Sequence, residues 1–278
     1  METFARFFLL VFAELYVGGM LALSIQPFHQ IERGFYKSTA SVYLGAGIIA
    51  FAGRVTLLLR GPAGGVSFTW ADAVEMLLWA VSLSAASLYL RALWGEDFRA
   101  RARHYVWAWT SGVAALAIGA QAFRLGPMLS VEAVLYPVSF IVSALLLGAV
   151  TTGMLLGHWY LIDRGLSIDP FRHMLRFFVV MLLVQTVLLL VNGGLLRLLG
   201  THASVDGLTQ LFHAHASLLA VRLLLSHVAA GGLAWMIWRT LQIPQTMAAT
   251  GLFYIAILSV LVGEFMARFI LFRTSLPL

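Results

Sequence analysis

Residues 131–161, VEAVLYPVSFIVSALLLGAVTTGMLLGHWYL, decide the architecture. A carboxylate, Glu132, stands at the start and a histidine, His158, near the end. No acidic, basic or histidine side chain lies between them. A helix needs about 20 mostly apolar residues to cross the hydrocarbon of a bilayer, and this stretch exceeds that. The apolar positions run continuously. The strands of a β-barrel would alternate over segments of about ten residues.

Reading outward in both directions finds the same pattern repeatedly. Apolar runs fall at about 4–25, 39–60, 70–93, 105–124, 131–161, 171–198, 208–239 and 246–272, which is eight spans. The breaks have local causes. Gln26-Pro27 to Lys37 is polar, and Gly61-Pro62-Ala63-Gly64-Gly65 is turn sequence. Glu96 to Arg103 is rich in charge. Gly126-Pro127, Asp169-Pro170 and Ile243-Pro244 interrupt later runs, and 200–207 is short and polar. The expected fold class is all-α, a polytopic bundle of eight transmembrane helices in one domain, 1–278. No span resembles another closely enough to indicate an internal repeat. The run after Met1–Arg6 continues to Ile25, so it reads as a span and not as a cleaved signal peptide.

Composition agrees. Residues of the AVILMFWYC set make up 61% of the chain and charged residues only 11%, against about 25% in soluble domains. The main partner of this surface is the lipid bilayer. The net charge of +6 comes from 18 basic residues, 17 of them Arg. They punctuate apolar runs and form no clustered basic face, so nucleic acid is not an expected partner. With no cysteine, the chain cannot ligate an iron–sulfur cluster through its own thiolates.

The arginines also orient the bundle. Ten basic residues flank the connections between spans 1–2, 3–4, 5–6 and 7–8: Arg33, Lys37, Arg91, Arg99, Arg101, Arg103, Arg164, Arg172, Arg176 and Arg239. Five lie on the other side: Arg6, Arg60, Arg124, Arg197 and Arg273. The positive-inside rule puts the ten in the cytoplasm and both termini outside.

Ionisable groups within spans cost about 2.5–3.5 kcal/mol each on insertion scales and mark candidate functional positions. Here they are Glu14, Arg54, Asp72, Glu75, Arg222, Glu264 and Arg268. With the orientation above, Arg54, Glu75, His213, His215, Glu264 and Arg268 share the outer leaflet, and Glu14 and Arg222 lie near mid-membrane. Two readings follow. Structural ion pairs could lock the helices, with Glu264 and Arg268 pairing at i, i+4 and Glu14 pairing with Arg222. Alternatively, the outer group lines a cavity for a proton-exchanging ligand such as a quinone, with Glu75 handling the proton. His158 and His227 fall at similar depth on different spans and are the alternative, as ligands of a haem b. Gly153 and Gly157, like Gly193-Gly194 and Gly231-Gly232, read first as helix-packing residues.

Several of these segments together resemble the eight-helix DmsC-type membrane anchor of dimethyl-sulfoxide-reductase-family molybdenum oxidoreductases. More distantly they resemble the NrfD and polysulfide-reductase anchors. Phe8 to Glu14 with Gly18-Gly19 is similar to the family's first helix. Leu57 to Pro62 resembles its Gly/Pro turn, Pro137-Val138-Ser139-Phe140 the start of its fifth helix, and Arg222 to Leu225 its seventh. The most specific piece is Gly263-Glu264-x-x-Ala267-Arg268, which resembles a closing Gly-Glu-x-x-Gly-Arg pattern. The resemblance implies a quinol-binding role for Glu75. A histidine common in the family near the outer end of helix 2 is replaced at about that place by Leu58, with Arg54 and Arg60 nearby.

The resemblance further implies a quinone (menaquinone or ubiquinone) as cofactor and no metal in this chain. The implied partners are an iron–sulfur subunit and a molybdopterin catalytic subunit, on the outer face. The expectation is a multi-pass protein of a prokaryotic inner membrane that passes electrons between the quinone pool and that iron–sulfur subunit. Arg54 or Arg60 would bond a quinone carbonyl, and Glu264 with Arg268 would organise the helix behind it. Rival expectations are a haem b electron carrier and a small-molecule transporter or assembly factor.

Overall fold

The computed structural model describes residues 2–59, 69–163, 165–243 and 245–277, apart from the side chains of residues 2–4. The helices are α1 (Glu2–Ala22), α2 (Arg33–Leu59), α3 (Trp70–Ala92), α4 (Phe98–Gln121), α5 (Glu132–Ile162), α6 (Asp169–Leu199), α7 (His202–Ala214), α8 (Ala216–Arg222), α9 (Ala230–Gln242) and α10 (Thr246–Thr274). A π-helical stretch, Leu223–Ala229, joins α8 to α9, so that Ala216–Gln242 forms one rod.

Seven helices among the described residues are long and apolar enough to cross a membrane, which makes this a multi-pass membrane protein. The expected fourth span coincides with the helix α4, 24 residues long, which is not one of these seven. It falls short on apolarity because Arg99, Arg101, Arg103 and His104 occupy its first turns. Large apolar side chains such as Leu183, Leu190, Leu198, Val228 and Trp235 are exposed on the outside of the bundle, as lipid-facing positions should be.

Helix starts are set by local chemistry. Thr69 and Asp72 form a reciprocal capping box on α3. Asp97 accepts from Arg99 N (2.9 Å) and Ala100 N (3.0 Å) to start α4. Beside it, Arg33 donates to Glu96 at 3.0 Å and holds that exposed carboxyl below its ordinary range.

The core is built around α1 and α5. Added methyl groups at Gly18 and Gly148 would run into backbone, that of Ala144 and of Gly18 itself. Only glycine permits this approach of the two helices. Two ends of the bundle are tied separately. At the first, Glu132 of α5 accepts from Thr201 N (3.1 Å) and from Ser204 Oγ (2.6 Å), Gln121 Nε2 donates to Ala133 O (2.8 Å), and Tyr136 donates to Ser275 O. At the second, Tyr36 donates to Gln26 O (3.1 Å), Tyr160 to Ser167 O (2.5 Å) and Arg172 to Leu241 O (3.2 Å). They are called the Thr201 end and the Gln26 end below.

Span 7 departs from expectation. The run 208–239 is two pieces: α7 ends at Ala214, and the chain breaks at His215 (φ −127°, ψ 19°). No proline or glycine sits there. The direction of α7 is imposed from outside, by Glu132 at its start and by Thr274 O against Gly207. A second departure concerns glycines. Gly193, Gly194 and Gly232 have nothing within 4 Å of an added Cβ, so they are not packing contacts. The α6 helix runs unbroken past Asn192-Gly193-Gly194. Gly153 and Gly157 do pack, against Phe253 and Thr250.

This contrast is testable by thermal unfolding of the detergent-purified protein. Gly148→Val should destabilise by at least ~1–3 kcal/mol through overpacking. Gly193→Ala, in mid-helix and open space, should instead stabilise by about 0.5–1 kcal/mol.

Candidate functional site

Near the Thr201 end, α1, α2, α3, α4 and α10 enclose a cavity of about 230 Å³. Most of its wall is apolar: Leu9, Leu10 and Ala13 from α1, Ala50 and Phe51 from α2, and Ala115 and Leu116 from α4. Trp79, Phe123 and Phe272 add aromatic surface, and Arg6, Arg54 and Glu75 add charge. Glu75 is 8% exposed. Arg54 Nη2 bridges it and Asp72, 3.0 Å from each. Trp79 Nε1, one turn along α3, lies 3.4 Å from the other Glu75 oxygen. The α4 helix meets the carboxylate with bare backbone: a Cβ on Gly119 would lie 3.1 Å from Glu75 Oε1. The capping box that starts α3 also holds Asp72, with Thr69 Oγ1 donating at 2.6 Å. One local signal thus fixes both carboxylates one turn apart, facing α2.

A second, fully buried set of charges lies deeper. Arg268 is 1% exposed and Glu14 0%. The guanidinium donates from Nε to Glu14 Oε2 at 3.1 Å, with Nη2 in ion-pair contact with Oε1 at 2.5 Å, and its face covers the Phe140 ring at 4.3 Å. Glu264 accepts from Gln185 Nε2 at 2.6 Å. Arg222, 2% exposed, lies mainly in the field of Glu264.

Three expectations need correction. Glu14 pairs with Arg268, not Arg222. Glu264 and Arg268 form no ion pair with each other; although i, i+4, they turn to different neighbours, α6 and α1. The outer-leaflet group is also not one cluster. Arg54 and Glu75 come together, but Glu264 and Arg268 sit behind the cavity wall. His213 is exposed at the end of α7 and His215 lies at the break; neither lines the cavity. Arg60 lies outside the described residues. His158 meets Tyr254 Oη at 3.4 Å, and His227 meets Thr186 Oγ1 at 3.4 Å; the two have different surroundings.

Sequence reading gave no site role to Glu132, Gln185, Asn192 and Ser226, all buried polar residues. A polar side chain inside an apolar run was the available signal for the last three. For Glu132 it was the single carboxylate opening the longest stretch free of Asp, Glu, Lys and Arg, 133–162.

No protein-family model matches the chain, and no curated protein matches it.

Breaking the deep pair should be costly. Arg268→Ala leaves Glu14 buried and uncompensated and should cost about 3–5 kcal/mol. Adding Glu14→Leu should restore most of that loss. A double-mutant cycle in chemical unfolding measures the coupling, and additive losses would contradict the pairing.

Proposed function

We propose that this chain is a quinone-interacting membrane subunit of an electron-transferring oxidoreductase, with the quinone site in the Glu75 cavity. One observation carries the reading: a nearly buried carboxylate, bridged by an arginine, at the floor of an apolar and partly aromatic cavity. At about 230 Å³ the space is below the ~300–1,000 Å³ of drug-sized sites. It suits one flat ring, with an apolar tail leaving into lipid between helices.

A bound quinone would supply the two-electron, two-proton chemistry. The chain supplies position and a proton route. The rings of Trp79, Phe51, Phe123 and Phe272 flank the headgroup. Arg54, bonded to Glu75 and Asp72, keeps a donor toward a ring carbonyl. Glu75 takes or gives the headgroup proton, Arg54 stays charged and holds the two carboxylates together, and Asp72 is the acceptor nearer the rim from which water can exchange the proton. Trp79 Nε1 and the bare backbone of Gly119 keep the carboxylate aimed into the cavity.

The distribution of Arg and Lys supports placing the Thr201 end outside, in the orientation of a prokaryotic inner membrane. It also supports α4 as an eighth crossing, because α4 joins the two ends: Arg101 stacks on Phe28 at one (4.5 Å) and Gln121 is tied at the other. Both termini then face outward. In this reading an extrinsic iron–sulfur subunit docks on that side, with a molybdopterin subunit beyond it, as the resemblance to DmsC-type anchors implies.

The test is direct. Purified chain should bind a short-tailed naphthoquinone with quenching of Trp79 fluorescence, read as the difference from Trp79→Phe. Glu75→Gln should abolish quinol-dependent turnover in the assembled complex while leaving assembly and folding intact. Arg54→Ala should weaken quinone binding. Unchanged turnover in Glu75→Gln removes this carboxylate from the reaction, and a chain that co-purifies with no redox protein removes the oxidoreductase reading.

A further inference from the structure

A second polar region of the bundle has hydrogen-bonding atoms with nothing to bond. Along α6, α8, the π-helical stretch and α10, these buried atoms have no partner among the described residues: Gln185 Oε1, Glu264 Oε2, Arg222 Nε and Nη1, Ser226 Oγ and His227 Nε2. Asn192 Oδ1 shares this state nearer the Thr201 end. The parent side chains Gln185, Asn192, Arg222, Ser226 and Glu264 are each at most 3% exposed. In hydrocarbon each unsatisfied group costs several kcal/mol. So many at one place require a ligand that can both donate and accept.

The set is complementary without touching. Arg222 and Ser226 offer N–H and O–H donors. Gln185, Glu264, Asn192 and His227 offer bare acceptors. For His227 the tautomer follows from its neighbour. Thr186 has a single hydroxyl proton, which goes to Leu182 O at 2.7 Å. The 3.4 Å contact between Thr186 Oγ1 and His227 Nδ1 therefore needs the proton on Nδ1, which leaves Nε2 with a free lone pair. Gln185 likewise directs its amide nitrogen to Glu264 Oε1 at 2.6 Å, so its oxygen is free. Between Asn192, Gln185, Arg222 and Arg268 lies a small void of about 10 Å³, close to the space one water needs.

We propose that this row holds internal water and forms a proton path, entered near Asn192 at the Thr201 end and ending at His227. It is separate from the Glu75 cavity and does not depend on what that cavity binds. Water joins Arg222 N–H donors to Glu264 Oε2, Gln185 Oε1 and His227 Nε2. One proton moves by exchange along these hydrogen bonds, rests on His227 as the imidazolium, and leaves by the same row. Nothing is oxidised or reduced.

The charged and titratable groups facing the row are Glu14 from α1, Arg222 and His227 from the rod, and Glu264 and Arg268 from α10. The α5 and α6 helices contribute only neutral groups, among them Ser139, Ser143, Gln185 and Thr186. The groups that face the row are thus two carboxyls, two guanidiniums and one imidazole, His227. Toward the Gln26 end the row stops against apolar packing. Phe171 stacks on Phe253 at 5.4 Å, and Phe178 meets it at 6.0 Å. Leu182, Ala230 and Ala234 belong to the same buried apolar cluster.

Solid-state NMR of full-length chain labelled with ¹⁵N-histidine in liposomes tests this, with His227 assigned from the His227→Asn difference. Wild type should show the Nδ1–H tautomer, a water-to-His227 cross-peak, and conversion to imidazolium as pH is lowered. Thr186→Val should release the other tautomer. Asn192→Leu, or Ser143→Val if that variant fails to fold, should slow water exchange at His227 by roughly an order of magnitude. Wild-type liposomes should leak protons no faster than empty ones. A dry His227 with no water cross-peak overturns the proposal. Exchange unchanged in both entrance variants overturns the route, and a proton leak that Asn192→Leu closes overturns the dead end.

Discussion

A guanidinium with 1% of its surface exposed cannot remain charged in a hydrocarbon-embedded bundle without a counter-charge. Arg268 finds its counter-charge 254 residues away, in Glu14. Lipid offers no substitute, and removing either partner leaves a buried ion. That constraint sets the register of α1 against α10. The close approach of α1 to α5 at Gly18 and Gly148 then brings Phe140 under the guanidinium. Once Arg268 is committed to α1, Glu264 cannot use it. The carboxylate turns to Gln185 of α6, and Arg222 is left facing Glu264 across a gap too wide for direct contact. The orphaned atoms of the inner row are thus a consequence of the first pair.

The same pair divides the interior. Ala13, next to Glu14 on α1, lines the cavity, and so does Phe272, one turn beyond Arg268 on α10. The ion pair sits directly behind that wall. On one side lies a ring-sized apolar space with a carboxyl group bonded by Arg54 at its rim. On the other lies a narrow polar row lined by Gln185, Arg222 and Glu264. In the two proposals, a proton bound for Glu75 and one bound for His227 enter from the same end of the bundle through separate openings.

Much of the fold was legible because hydrocarbon imposes a simple rule on sequence. The runs around 131–161 and 171–198 were found within a few residues of α5 and α6. Proline and glycine marked most connections. The legible part of the site was also local. Arg54 and Glu75 are expensive in lipid wherever they sit, so each was singled out, and the structure joins them. Pairing was not legible. The choice of Glu14 between Arg222 and Arg268 depends on helix rotation, which apolar runs do not encode when most of their circumference is greasy. The i, i+4 spacing of Glu264 and Arg268 suggested a local pair, and tertiary contacts overrode it. The break at His215 left no mark either, because the contacts that direct α7, Glu132 at its start and Thr274 O beside Gly207, come from elsewhere in the chain. Gly193 and Gly194 misled in the opposite direction: small residues in a lipid-facing stretch resemble a packing stripe until the neighbours are known.

The π-helical stretch explains how three polar side chains of one rod face the same place. In a regular α-helix, residues four apart share a face, but the fifth has rotated well away. The wider turn bonds i to i+5 and brings the fifth residue back toward line. Arg222 and Ser226 are four apart, and Arg222 and His227 five. Widening over Leu223–Ala229 lets all three approach α6 and α10 together. The distortion needs room on the α10 side, and Gly263 supplies it: Ser226 Oγ occupies the volume a Cβ there would fill. Ser259, one turn earlier on α10, donates to Leu225 O at 2.8 Å and satisfies a carbonyl inside the stretch. A π-turn costs hydrogen-bond geometry, and here that cost is met by a neighbouring helix shaped to receive it. The Gly263-Glu264 dipeptide therefore does two things at once, admitting Ser226 and facing Arg222. A substitution that restored regular α-helix through 223–229 would rotate His227 away from the row while leaving Arg222 in place.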